Sequence, residues 1–342
     1  MTEPSSTRVL TVDPEAPEPS ALDEAARVLA GGGLVAFATE TVYGLGAIAT
    51  DAAAVARIFA AKGRPPVNPL IIHVADVSQA KVCVEDWPAD ADRLTARFWP
   101  GPLTIVLYRS NRIPDLVTAG KSTVGVRCPA GSVAPGLIAR CGRPIAAPSA
   151  NRSNRLSPTR AEHVLADLDG RIDLIIDSGP TTVGLESTVL DLTIDPPRLL
   201  RPGPITAAEL KAALAGRLMA MPDVGASADR PTSPGQMPVH YSPLTPAFRV
   251  DSPDDLRGRS DLEGVAVVSF GMDRHLLSTS TAHEARLESP ELAARGLYNV
   301  LHRFDALRPR AIVVIMPPDR PEWMAIRDRL LRATRPIAEF PC

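Results

Sequence analysis

TETVYGLGAIATDAAAVARIFAAKGRPPVNPLIIH, residues 39–73, is the stretch from which the rest of the chain reads outward. It begins with a glycine-punctuated segment, Thr39-Glu40-Thr41-Val42-Tyr43-Gly44-Leu45-Gly46, which predicts a loop. Asp51 is a good N-cap, and 52–61 predicts a helix. A basic turn follows, Lys62-Gly63-Arg64-Pro65, then an apolar run over 69–74 of buried-strand type that carries His73. Hydroxyls, a lysine, an arginine and an imidazole gather around one helix. That collection suits a polyanion held beside a small polar ligand.

Outward from this stretch, strands are expected at 8–12, 34–37, 103–108, 124–127, 144–147, 173–177, 187–192 and 198–200. Helices are expected at 21–30, stopped by Gly31-Gly32-Gly33, and at 78–84, 89–98, 133–140, 160–168 and from the Thr206 cap to 218. Roughly seven strands alternating with helices predict an α/β or α+β sheet domain. Residues 218–246 are rich in Pro, Gly and Ser and show no period, which predicts a linker. Beyond it, strands at 265–270 and 311–316 and helices at 290–307 and 322–333 predict a small α/β unit. The expected division is a catalytic domain at 1–217, a linker at 218–246 and a C-terminal domain at 247–342.

At 342 residues the chain has room for two domains. Its formal net charge of −2 gives no bulk attraction to nucleic acid, so only a local patch could supply one. Proline, 35 residues, is spread along the chain, which predicts rigid loops rather than a disordered tract. Cys83, Cys128, Cys141 and Cys342 form no CxxC pair, so neither a zinc site nor a disulfide framework is expected. The N-terminus lacks the basic and apolar regions of a signal peptide, and no run of apolar residues is long enough to span a membrane. The expectation is a soluble cytoplasmic protein.

Several groups of residues carry chemistry, each with a plainer reading beside it. Lys62 and Arg64 flank a glycine and suit phosphate oxygens, or else they sit at a solvated helix end. Ser149-Ala150-Asn151 follows a strand, where α/β sheets bind ligands, or else forms an ordinary turn. Gly184-Leu185-Glu186-Ser187-Thr188 enters a strand, and Arg201 leaves one before Pro-Gly. His73 is a core histidine or a ligand-binding one. Arg127 ends a buried strand and needs an anion, supplied either by a protein carboxylate or by a ligand. No P-loop, GxGxxG, HExxH or GxSxG occurs.

TETVYGLG, KGRPPVNPL, SANRSNRLSPT, GLESTVLDL and RPGPIT, in this order and spacing, resemble the YrdC-type threonylcarbamoyl-adenylate synthases over about residues 15–217. The linker SPGQMPVHYSP and the tail resemble the long, two-domain form. The resemblance implies a twisted, mixed open sheet with a large concave cavity, plus a small Rossmann-like C-terminal domain. It implies that ATP, L-threonine and bicarbonate (or carbon dioxide) give threonylcarbamoyl-adenylate and pyrophosphate, with Mg2+ carried on the phosphates. The product would pass to a tRNA threonylcarbamoyl-transferase complex that modifies the adenosine beside the anticodon, with a weak tRNA or double-stranded RNA contact allowed. By motif, Lys62, Arg64, Asn68, Thr123, Ser149, Asn151, Ser157 and Arg201 fall on ATP, with Tyr241 closing over the nucleotide from the linker. Thr41, His73, Arg127, Ala147 and Ser187 fall on threonine. Lys62 and Arg64 are the catalytic candidates. Two departures from the family pattern are Ala38, where Pro is usual, and Val239, where a basic residue is common.

Two rival readings share the fold. One is a carbamoyl-adenylate-forming module of the hydrogenase-maturation type, which normally sits in a larger chain with zinc-finger cysteines. The other is an RNA-binding module without ATP turnover. Near-neutral charge and only 4% aromatic residues argue against the second.

Overall fold

The computed structural model describes residues 6–219, 241–256, 259–271 and 282–341. The stretch at 39–73 completes an antiparallel pair, β2 (Val35–Ala38) and β3 (Tyr43–Ile48), in which Val35 lies opposite Gly46 and Ala38 opposite Tyr43. The glycine-punctuated segment expected as a loop is therefore half strand: residues 43–46 belong to β3, and residues 39–42 turn. Its glycines mark close packing rather than a bend. A Cβ on Gly46 would come within 2.7 Å of Phe37 Cε1 and 2.8 Å of Ile145 Cγ2. Every residue of both strands is buried, as strands covered on both faces require.

In chain order the other elements of this unit are β1 (Arg8–Thr11), α1 (Pro19–Ala30), α2 (Ala52–Lys62), β4 (Ile71–His73), α3 (Val77–Cys83), α4 (Ala89–Phe98), β5 (Leu103–Tyr108), α5 (Asp115–Thr118), β6 (Thr123–Arg127), α6 (Val133–Cys141), β7 (Ile145–Ala146), α7 (Ala161–Leu168), β8 (Leu174–Asp177), β9 (Thr188–Asp191), β10 (Arg198–Arg201) and α8 (Ala207–Ala213). Among the described residues ten strands form one mixed sheet, ordered β1-β8-β2-β3-β7-β4-β6-β5-β9-β10. Nine of these strands coincide with the sequence reading to within a few residues; β3 is the addition. Helix α8 stops well short of the expected residue 218. Ala215 and Gly216 there take left-handed backbone, at φ 52° and 86°.

The two faces of the sheet are covered differently. On one face Leu45, Ile58, Ile72, Ile105, Val126 and Leu190 belong to a continuous core. On the other, Leu22 and Leu29 of α1 and Leu137 of α6 pack on Phe37, Ile145 and Ile176. This second core reaches only as far as β7. Beyond it the same face carries His73, Thr104, Gly125 and Arg127, placed there by strand period and register. Where helical cover ends, these polar and small residues share the face with Ile71 and a small apolar cluster of Val106, Val189 and Leu200, and that places the site.

The second unit comprises residues 154–156 and 183–185 with the described residues after 240. Nothing in composition marks those two short segments. Its sheet is wholly parallel, ordered β13-β12-β14-β11-β15, from β11 (Ala247–Val250), β12 (Ala266–Phe270), β13 (His283–Leu287), β14 (Ile312–Ile315) and β15 (Arg335–Pro336). Helices α9 (Pro290–Leu307) and α10 (Met324–Ala333) match the expected ones, whereas β11, β13 and β15 were not legible. Ser289 caps α9, accepting from Leu292 N, with Pro at the first turn. Phe248, Val267, Val313 and Phe340 form the core.

Gly46→Ala should destabilise the protein by about 1–3 kcal/mol, because Phe37 and Ile145 must shift. Urea unfolding would show a lower midpoint at unchanged slope. An unchanged midpoint would mean that neither neighbour constrains the strand.

Candidate active site

Helix α2 aims the cations. Asp51 Oδ1 accepts from Ala53 N and Ala54 N, both at 3.0 Å, and fixes the start of the helix. Gly63, left-handed at φ 59° and ψ 35°, ends it, with Arg64 N on Phe59 O at 3.0 Å. Lys62 and Arg64 are 2% and 7% exposed, so the solvated-helix-end reading fails. Lys62 Nζ donates to Ser149 O at 2.5 Å and also to Asn151 O. Arg64 Nε donates to Asn68 O at 3.2 Å and its Nη2 to Pro69 O at 3.0 Å. Burial first, and then the charge of Arg64, hold the Lys62 ammonium well below its ordinary pKa. Among the described residues no carboxylate lies within ion-pair distance of Lys62. Burying a cation on carbonyls alone is costly, and an anionic ligand would relieve that cost.

The Lys62 bonds gather the rest of this half. Ser149 bridges to Gly44 of β3, and Asn151 is buried. Asn68 is 1% exposed, and its Oδ1 has no hydrogen-bond partner among the described residues. Ser157 is wholly buried and donates to Glu186 Oε1 at 2.5 Å. The sequence reading placed Ser157 on the nucleotide but gave Glu186 no role.

A second half lies around Arg127. His73 and Arg127 face each other across β4 and β6. Arg127 Nη1 donates to Thr41 Oγ1 at 2.9 Å, and Nε to Gly101 O at 3.2 Å. Its Nη2 pairs with Glu40 Oε2 at 2.6 Å. The anion that a buried arginine needs is thus a protein carboxylate, which the sequence reading left open. Thr41 Oγ1 also meets Thr39 Oγ1 at 2.7 Å. Burial, with the charge of Arg127 second, pushes His73 down to about 3, so the imidazole is neutral at physiological pH. Ala147 is buried, with its N on Ile71 O at 2.9 Å.

The halves meet at Ser187. Its Oγ is 2.8 Å from Thr104 Oγ1 and accepts from Arg201 Nη2 at 3.1 Å, while its carbonyl accepts from Arg201 Nε at 3.0 Å. Thr123 opens β6 opposite Tyr108, on the same strand face as Arg127. Tyr241 belongs to the second unit. Its backbone is left-handed at φ 61°, and its buried ring lies near Tyr298 (6.0 Å between centroids) and the Arg329 guanidinium (5.4 Å). Val239 lies outside the described residues. Glu40, Thr104 and Glu186 were missed. A carboxylate between two threonines in a turn joining buried strands was the available signal for Glu40.

Such a fold and site define an α/β enzyme of small-molecule substrates, with buried cations beside an arginine-centred polar pocket. Residues 27–203 match the Sua5/YciO/YrdC family model, described as telomere recombination, and residues 205–334 match that of the threonylcarbamoyl-AMP synthase C-terminal domain. The chain belongs to the threonylcarbamoyl-AMP synthase family. It is 42% identical to the Pyrococcus abyssi threonylcarbamoyl-AMP synthase, over 89% of this chain and 91% of that one. It is 41% identical to the Bacillus subtilis protein of the same name, over 91% and 92%. The crystal structure of P. abyssi Sua5 complexed with L-threonine superposes with a TM-score of 0.88 at 40% identity, covering 96% of this chain and 99% of that one. Among the described residues no helix is long and apolar enough to cross a membrane.

Because His73 stays neutral when folded but titrates near 6.5 when unfolded, its share of stability is present above pH 6.5. That share is lost as pH falls from there towards 3, by up to about 1.4 kcal/mol per pH unit. Urea unfolding of wild type between pH 7 and 5 should therefore fall more steeply than that of His73→Gln. Parallel declines would show that the histidine is protonated in the fold.

Proposed function

We propose that the chain is an L-threonylcarbamoyladenylate synthase, a nucleotidyltransferase that makes threonylcarbamoyl-AMP and pyrophosphate from L-threonine, bicarbonate and ATP. The observation that carries this reading is a buried pair of cations beside an arginine-centred pocket, in a chain 40% identical to a protein crystallised with L-threonine. In this reading Arg127 takes the threonine carboxylate, with Thr41, His73, Ala147 and Ser187 around the rest of the molecule. Lys62, Arg64 and Arg201 neutralise the phosphates, and Asn68, Thr123, Ser149, Asn151 and Ser157 complete the nucleotide side. A carbamate on the amine of threonine attacks the α-phosphorus and pyrophosphate leaves. Such chemistry rests on positioning and on fixed positive charge, and needs no covalent enzyme nucleophile.

Mg2+ would arrive on the nucleotide. The cradle offers cations, and no cluster of three metal-binding side chains occurs among the described residues. Bound to the phosphates, the ion would neutralise their charge. We keep 1–217 as catalytic domain, 218–246 as a lid carrying Tyr241, and 247–342 as C-terminal domain. Transfer of the product to a tRNA-modifying complex in the cytoplasm belongs to the same proposal. The RNA-binding alternative has no support in a net charge of −2.

Lys62→Gln keeps a donor for one carbonyl but removes the charge. Pyrophosphate release should fall by at least about 100-fold with the unfolding transition retained. Near wild-type turnover would remove Lys62 from the mechanism. Arg127→Ala should raise the KM for threonine far more than that for ATP. Equal changes in both would contradict its assignment to the amino acid.

A further inference from the structure

We infer that Glu40 receives the α-ammonium of the amino acid, so that Glu40 and Arg127 form a paired seat for a zwitterion. The inference rests on the reading that Arg127 takes the carboxylate. The Glu40 side chain is only 8% exposed. Its Oε2 lies 2.6 Å from Arg127 Nη2 as an ion pair, yet neither Oε1 nor Oε2 has a hydrogen-bond partner among the described residues. A buried carboxylate oxygen without a donor is costly, and a ligand N–H would relieve that cost. The other Arg127 contacts, Thr41 Oγ1 and Gly101 O, are uncharged, and His73 alongside is neutral.

Charge then sets the selectivity. A ligand bearing only a carboxylate would share the guanidinium with Glu40 and be repelled by it across a short, water-poor distance. An α-amino acid brings its own cation, bonded to the carbon next to its carboxylate, and offers it to Glu40. The pair thus attracts zwitterions and rejects simple anions, with attraction and repulsion both at work. A role as mere counter-ion to Arg127 predicts something different. Neutralising Glu40 would then move amino acid and plain acid in the same direction.

The test is calorimetry with L-threonine and with 2,3-dihydroxybutyrate, which carries a hydroxyl in place of the ammonium. Wild type should bind threonine at least about 10-fold more tightly than this analogue, the value of one charged hydrogen bond. Glu40→Gln keeps an acceptor for Arg127 but loses the charge. It should bind threonine about 10- to 100-fold more weakly while its affinity for the analogue holds or rises. Equal affinity of wild type for the two ligands overturns the inference without any variant, and so does a variant that shifts both ligands alike. Wild type that binds neither ligand overturns the threonine reading itself, and this inference with it.

Discussion

An ammonium group buried against two backbone carbonyls organises this catalytic unit. Lys62 leaves the end of α2 and reaches the loop after β7, where Ser149 and Asn151 turn their carbonyls towards it. Two of its three N–H donors are used there, and the third, with no partner among the described residues, is free for an incoming oxygen. The arrangement demands an α2 of one length, since a helix ending one residue earlier would swing Lys62 by about 100° around the axis. Gly63 sets that length through its left-handed backbone. Helix cap, cation position and the loop that follows β7 are therefore one constraint.

Legibility in the sequence followed the periodicity. Strands such as β5 and helices such as α4 and α9 carry clear patterns and fell where expected. The segment over β3 misled because glycine in a strand and glycine in a loop look alike without the neighbour that forbids a Cβ, here Phe37. In the second unit, β13 is HEARL, polar and at the sheet edge, and β15 has two residues. Neither has enough apolar alternation to announce itself. The site was legible as residue types: hydroxyls, cations and an imidazole around one helix. Their partners were not. Glu40 with Arg127, Glu186 with Ser157 and Thr104 with Ser187 are pairs separated in sequence, created by register and by the return of the chain.

A near-neutral chain can therefore hold anions strongly. The net charge of −2 describes the surface and the sum, whereas Lys62, Arg64, Arg127 and Arg201 are all at most 7% exposed. Away from water, the field of each falls off slowly and counts for more than an exposed patch would. The same burial keeps His73 neutral, so a group that could have added a further positive charge adds only a polar surface. Positive charge at the site is thus carried by Lys62, Arg64, Arg127 and Arg201, and His73 adds none.

The contact between Ser187 and Arg201 explains how two such subsites stay in register. Arg201 grips both the carbonyl and the hydroxyl of Ser187, and Thr104 holds that hydroxyl from β5. Since β5 pairs with β6, which ends in Arg127, a short route through the sheet links the residue read as a phosphate ligand to the one read as a carboxylate ligand. Backbone ladders of this kind barely stretch. A reaction that joins one substrate to the other needs its reacting atoms within a few tenths of an ångström of the productive distance. Neighbouring strands that carry residues of both subsites meet that need more rigidly than two loops could.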